Sequence, residues 1–176
     1  MKLNLGCGQC KFDEYVNIDI DPAVKPDLVH NFAQVVLPYE DESVEEVCMI
    51  HTLEHITRSA HPMVFGEINR VLQTDGQLYV AFPNPEVIFK NFLSNHRGMR
   101  GYWEATIVGR GNSIWDCHRA VMFVPDFVLF LKEFGFGNIK AGSEVDQEHN
   151  IFIVAEKKFS VTERTKLLAK EINNAA

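Results

Sequence analysis

A glycine turn and an acidic strand end lie side by side in the first twenty residues, and this pairing restricts what the chain can fold into. Leu3 and Leu5 form a short apolar alternation that runs into Gly6-Cys7-Gly8, and after a brief polar stretch comes Val16-Asn17-Ile18-Asp19-Ile20-Asp21. Glycine carries no Cβ, so the backbone of such a turn can lie directly against a ligand. A strand, a glycine turn and a second strand ending in a carboxylate read as the binding edge of an open sheet.

Spacing narrows the ligand. A dinucleotide fingerprint needs a third glycine, a helix that starts at the turn, and an acid roughly 20 residues further on. Here Lys11 stands in place of that glycine, no helical pattern follows Gly8, and Asp19 comes only 13 residues after Gly6. A pyrophosphate is held by the exposed N–H groups and positive end of that helix, so a nicotinamide oxidoreductase is a poor reading. A ligand without phosphate has no need of the helix. S-adenosylmethionine, a sulfonium with an amino-acid tail and an adenosine, is such a ligand, for which a bare turn and a ribose-binding carboxylate suffice.

With 176 residues, 46% of them hydrophobic, the chain can bury one core and is the size of one domain. Its 17 Lys and Arg against 24 Asp and Glu give a net charge of −7, which repels phosphate backbones and disfavours nucleic acid as a partner. No apolar run approaches the ~18 residues of a membrane span. The first residues read as a core strand rather than a leader, so a cytoplasmic protein without membrane association is expected. Cysteines at 7, 10, 48 and 117 show no disulfide framework. Cys7 and Cys10 fit a redox couple or half a zinc site, but with no second such pair they read as a small turn residue and an incidental neighbour.

Short apolar runs alternate with helical patterns, which predicts an α/β fold: a Rossmann-like, mostly parallel, seven-stranded sheet. Strands are expected at Lys2–Leu5, Val16–Ile20, Asp27–His30, Glu46–Ile50, Gln77–Phe82, Asn138–Ala141 and Ile151–Glu156, and helices at His61–Leu72 and Pro125–Phe134. Only about ten residues separate Leu5 from Val16, fewer than a helical crossover takes. Either the first connection is a short loop without a helix or one of the two strands is shorter than expected; in both cases this half of the sheet is stripped down, with one face partly bare. A partner chain, which would make a homodimer, or the segment from Val161 to Asn173, with Val161, Leu167, Leu168 and Ile172 on one stripe, could cover it; the same segment reads equally as a solvated terminal helix. The domain is expected to span residues 1–160 and the tail 161–176. Residues 84–123 have no clear periodicity and follow the fifth strand, so they read as a substrate lid.

Leu-Asn-Leu-Gly-Cys-Gly at 3–8, Asn-Ile-Asp-Ile-Asp-Pro at 17–22, His-Thr-Leu-Glu-His-Ile at 51–56 and Glu-Ile-Asn-Arg-Val-Leu-Gln-Thr-Asp-Gly at 67–76 resemble the ordered motifs of class I S-adenosylmethionine-dependent methyltransferases. The chain is particularly similar to a compact Gly-Cys-Gly and Asn-Ile-Asp subset in which the first helix is also reduced. The resemblance implies S-adenosylmethionine as cofactor, with Leu5, Gly6, Cys7 and Gly8 along its methionine tail and Asp19, with Ile20 beside it, at the ribose hydroxyls. It also implies Asn31 and Phe32 at the adenine, where the family more often has an acid, and Ile50 and His51 beneath the sulfonium.

A base is needed where the acceptor is a hydroxyl or ammonium, and histidine suits that role near neutral pH. His51 and His118 are the catalytic candidates. His51 and His55 stand at the i, i+4 spacing of a metal-binding pair and would need a third ligand such as His61; the resemblance instead places this segment beside the cofactor, and no metal is expected. No Asn-Pro-Pro-Tyr motif follows the fourth strand and no Pro-Cys pair of cytosine C5 enzymes is present. Arg97, Arg100, Arg110 and Arg119 suit a carboxylate or phosphate, so the expected acceptor is a small, anionic molecule methylated on oxygen or nitrogen. The alternative is a non-catalytic subunit that binds the cofactor.

Overall fold

A computed structural model describes residues 1–144 and 147–167. Its seven strands are β1 (Lys2–Leu5), β2 (Val16–Asp19), β3 (Leu28–Val29), β4 (Val44–Ile50), β5 (Leu72–Pro83), β6 (Phe136–Glu144) and β7 (Gln147–Lys157). They form one sheet in the order β3-β2-β1-β4-β5-β7-β6. The first five are mutually parallel, and β7 runs antiparallel to both β5 and β6. Strand order reverses between β1 and β4, so the carboxyl ends of β1 and β4 flank the crevice where open sheets bind ligands.

The helices are α1 (His61–Val71), α2 (Pro85–Leu93), α3 (Arg100–Val108) and α4 (Val124–Glu133). Helix α1 buries Val64, Phe65, Ile68 and Val71 against the sheet, while Met63 stands exposed. Phe127 of α4 meets Phe65 and Phe82 edge-on, with centroids 5.5 and 5.4 Å apart. Alternate strand residues Leu3, Leu5, Val47, Met49, Leu78, Val80, Ile153 and Ala155 complete this core. Asn69 ties it to the chain end: its buried Nδ2 donates to the carbonyls of Phe134 (2.8 Å) and Phe159 (2.9 Å). Truncating Asn69 to alanine strands both acceptors, and the expected cost is about 1–3 kcal/mol in a urea unfolding curve.

The first crossover has no helix; residues 6–15 are turns and irregular chain. Two buried amides hold it instead. Asn4 Nδ2 donates to the Cys10 carbonyl and to Asn17 Oδ1, while Asn17 Oδ1 accepts from the Phe12 N–H and Asn17 Nδ2 donates to the Phe12 carbonyl. The opposite sheet face is correspondingly open. Cys48, Ile50, Tyr79, Phe152 and Val154, with Phe12 and Tyr15 of the crossover, line a hollow of about 650 Å³ on that face.

Residues 161–167 are helical, and Arg164 Nε donates to the Lys132 carbonyl at the end of α4. This described part of the tail lies beside α4, across the sheet from the open face, and so does not cover it. Leu168 and Ile172 lie outside the described residues. The stretch 84–123 also differs from its reading as irregular chain, since α2 and α3 fall within it. Asn84 caps α2 by accepting from the Glu86 N–H, with Pro85 in the first turn. Among the described residues no helix is long and apolar enough to cross a membrane.

Candidate active site

The glycine turn and the end of β4 are built as one unit. The N–H groups of Gly6 and Cys7 both donate to the Ile18 carbonyl, fixing the turn to β2. Gly6 adopts φ +72, and a Cβ there would lie 2.2 Å from Thr52 Cγ2. Thr52 itself is buried, and its hydroxyl donates to the Leu5 carbonyl at 3.0 Å. Gly8, at φ +49, has no atom within 4 Å of where a Cβ would stand. Its N–H donates to Asp19 Oδ2 at 2.8 Å, and Asp19 Oδ1 accepts from the Asp21 N–H at 2.9 Å. Each oxygen of this 9% exposed carboxylate thus keeps a lone pair for a ligand.

A cleft of about 420 Å³ opens here, lined by Gly6, Gly8, Asp19, Ile20, Asn31, Phe32 and His51 among others. Seven sequence candidates therefore converge on it. Asn31 Nδ2 donates to Gln34, which leaves the amide carbonyl as an acceptor, and Phe32 is buried at the cleft wall. Three candidates stand elsewhere. Leu5 and Cys7 are buried outside the lining, and Ile50 lines the hollow on the other sheet face because strand residues alternate sides. Burial, reinforced by Asp19, holds the Cys7 thiol above its usual pKa, which does not suit a redox couple with the exposed Cys10. Asp21, Gln34 and Trp115, which the sequence does not single out as site residues, also line the cleft, as does Arg119.

His118 belongs to an adjoining cavity of about 290 Å³, shared with His51, Glu54, His55, Tyr102, Arg110 and His149. His51 and His55 line both spaces, so the two meet at the end of β4. The 3-10 turn Leu53–His55 directs Glu54 inward, where its side chain is 3% exposed. His51 Nδ1 donates to Glu54 Oε1 at 3.2 Å, which leaves Nε2 as the basic nitrogen. His51 has φ 52, a conformation uncommon for a residue with a Cβ. The lid is pinned over this point: the N–H groups of Arg119 and Ala120 donate to the Glu54 carbonyl, and that of His118 to Val108. Burial depresses the His118 pKa, favouring neutral imidazole. His61 is buried away from the cleft, with Nε2 donating to the Ile56 carbonyl, so it does not join His51 and His55. Of the lid arginines, Arg119 reaches the first space and Arg110 the second, whereas Arg97 and Arg100 line neither.

Residues 3–80 match the methyltransferase domain family. Among solved structures the chain is similar to an S-adenosylmethionine-dependent methyltransferase from Archaeoglobus fulgidus, at 15% identity and a TM-score of 0.66 over 89% of this chain and 85% of that one. A second such protein, from Methanosarcina mazei, gives 16% identity and a TM-score of 0.63 over 90% and 92%. A protein from Thermotoga maritima described as a possible histamine N-methyltransferase gives 14% and 0.60 over 89% and 82%. A comparison with curated proteins by sequence finds no match. Residues 3–80 thus carry a methyltransferase domain match, and the chain has the fold of S-adenosylmethionine-dependent methyltransferases, enzymes whose cofactor is S-adenosylmethionine.

The site fits that cofactor on its own geometry. The turn after β1 leads into no helix, so nothing is arranged for a pyrophosphate. Asp19 offers two lone pairs for a diol, Asn31 an acceptor for an exocyclic amine, and open space lies in front of Gly8.

Proposed function

We propose that this chain methylates an oxygen or nitrogen of a small, anionic acceptor held in the cavity between His51, Tyr102, Arg110 and His118. The observation that carries this reading is the contact of two differently lined spaces at His51, one built on a glycine turn and carboxylate, the other on imidazoles and a guanidinium. In the first, Gly6, Gly8, Asp19, Asn31 and Phe32 would hold S-adenosylmethionine, which supplies an electrophilic methyl carbon on a sulfonium. The second, at about 290 Å³, is the size for a small molecule rather than a polymer strand. Arg110 gives it affinity for an anionic group.

His51 Nε2 takes the proton from the acceptor's hydroxyl or ammonium, and Glu54 Oε1 orients the ring and stabilises the imidazolium that results. The pinned lid excludes water and fixes the line of approach, which supplies much of the rate in a displacement of this kind. The test is formation of S-adenosylhomocysteine across a panel of small hydroxy and amino acids. With the acceptor that responds, His51→Asn is expected to lower kcat by about 10²-fold or more with unchanged cofactor affinity. Asparagine tolerates the positive φ, so the loss reports the missing base. Full turnover by this variant would remove His51 from the role, and no turnover by the wild type with any acceptor would favour a cofactor-binding subunit.

A further inference from the structure

Glu54 presents a buried carboxylate with an unexplained atom. Oε1 accepts from His51, but Oε2 is shielded from solvent and has no hydrogen-bond partner among the described residues. A buried carboxylate oxygen left unpaired is costly, and native structures rarely contain one without a reason. Two imidazoles stand next to it. Glu54, His55 and His118 each offer a ligand atom within 4.8 Å of the other two. The histidine rings meet edge-on with centroids 4.9 Å apart.

The His55 ring has one nitrogen occupied in the manner of a metal ligand: Nδ1 donates to the Cys117 carbonyl at 3.3 Å. Such an outer bond fixes the tautomer and leaves the Nε2 lone pair for an ion.

We infer that Glu54, His55 and His118 form a site for a divalent transition-metal ion at the mouth of the acceptor cavity. Two neutral imidazoles and one carboxylate suit Zn²⁺, Co²⁺, Mn²⁺ or Fe²⁺ rather than Mg²⁺ or Ca²⁺, which prefer all-oxygen shells. Three protein ligands leave at least one position open, the arrangement of catalytic rather than structural sites. Bond lengths of about 2.0–2.2 Å require the three side chains to close in on the ion by rotation about their χ angles from the present separations of up to 4.8 Å.

The site bears on the acceptor, a consequence that rests on the methyltransferase reading above. An acceptor hydroxyl in the open position has its pKa lowered by the ion. Its proton then goes to His51 Nε2, leaving the oxygen lone pair directed at the cofactor cleft. Glu54 thereby serves both partners, Oε1 for the base and Oε2 for the ion. The preferred acceptor atom becomes oxygen, from a hydroxyl beside a second chelating or anionic group.

The test is titration of chelator-treated full-length protein with Co²⁺, followed by its visible d–d absorption, and with Zn²⁺ by calorimetry. One ion per chain is expected. Glu54→Gln and His118→Ala should each weaken binding at least tenfold while retaining the wild-type circular dichroism and affinity for S-adenosylmethionine. Asp19→Ala should bind the ion as the wild type does. Absence of binding by the wild type, or binding unchanged in both Glu54→Gln and His118→Ala, overturns the site. Loss of S-adenosylmethionine binding in the wild type, with the ion still bound, would instead count against the methyltransferase reading alone. Should Glu54→Gln fail to fold, His118→Ala and His55→Ala, both at positions on the cavity rim, carry the same comparison.

Discussion

Replacing Gly6 with alanine is expected to abolish cofactor binding and to lower folding stability by about 2–5 kcal/mol. Two costs add. An L-residue in the left-handed region pays about 1–2 kcal/mol, since Gly6 sits at φ +72. Overpacking of a filled site costs roughly 1–3 kcal/mol more: the new Cβ falls 2.2 Å from Thr52 Cγ2 and 2.5 Å from Thr52 Oγ1. Thr52 cannot withdraw without giving up its bond to the Leu5 carbonyl, which ties β4 to β1. The chain therefore yields at the turn, which lines the cleft proposed for the cofactor. Urea unfolding and calorimetric titration read the two effects. Gly8→Ala is the internal comparison, because with nothing within 4 Å it bears only the conformational cost. A double-mutant cycle with Thr52→Ala should recover part of the Gly6→Ala loss, and strict additivity would show that the clash is not the cause.

The second large effect falls on Asp19. Asp19→Ala is expected to weaken S-adenosylmethionine binding by roughly 10- to 100-fold, about 1.4–2.8 kcal/mol. A carboxylate that receives two hydroxyls makes charge-assisted bonds of this strength. The residue also acts on the protein itself, because its oxygens accept from the N–H groups of Gly8 and Asp21. Alanine leaves both donors without that acceptor and loosens the turn. Asp19→Asn keeps a carbonyl for one of them and should fall between the two. Unchanged titration of Asp19→Ala would detach the acidic strand end from the ligand and with it the assignment of the cleft.

Much of this was legible in the sequence, for a physical reason. The β1 turn, β2 and α1 are specified by local pattern: alternation into Gly6, Asn17 to Asp19, and the stripe from Val64 to Val71. The missing crossover helix was half legible: about ten residues between Leu5 and Val16 leave either a loop or a shorter strand, and the structure has the loop. What a motif does not give is the side to which each residue faces. Leu5, Cys7 and Ile50 belong to the right segments, yet two are packed inside and one faces the other side of the sheet. Helix α2 carried a readable start in Asn84-Pro85-Glu86. Helix α3 did not, since Trp103 is its one buried residue and leaves little periodic signal. Glu54 and His118 are 64 residues apart, and only the lid's docking onto the Glu54 carbonyl brings them together. No spacing rule could have paired them.

Isotope-filtered NMR with S-adenosylmethionine labelled by ¹³C at its methyl group addresses the central claim most directly. Nuclear Overhauser contacts are expected from that methyl to the ring of His51, the residue shared by the 420 Å³ cleft and the adjoining 290 Å³ cavity. Absence of binding, or contacts instead to Tyr79 and Phe152 on the opposite face of the sheet, would contradict it.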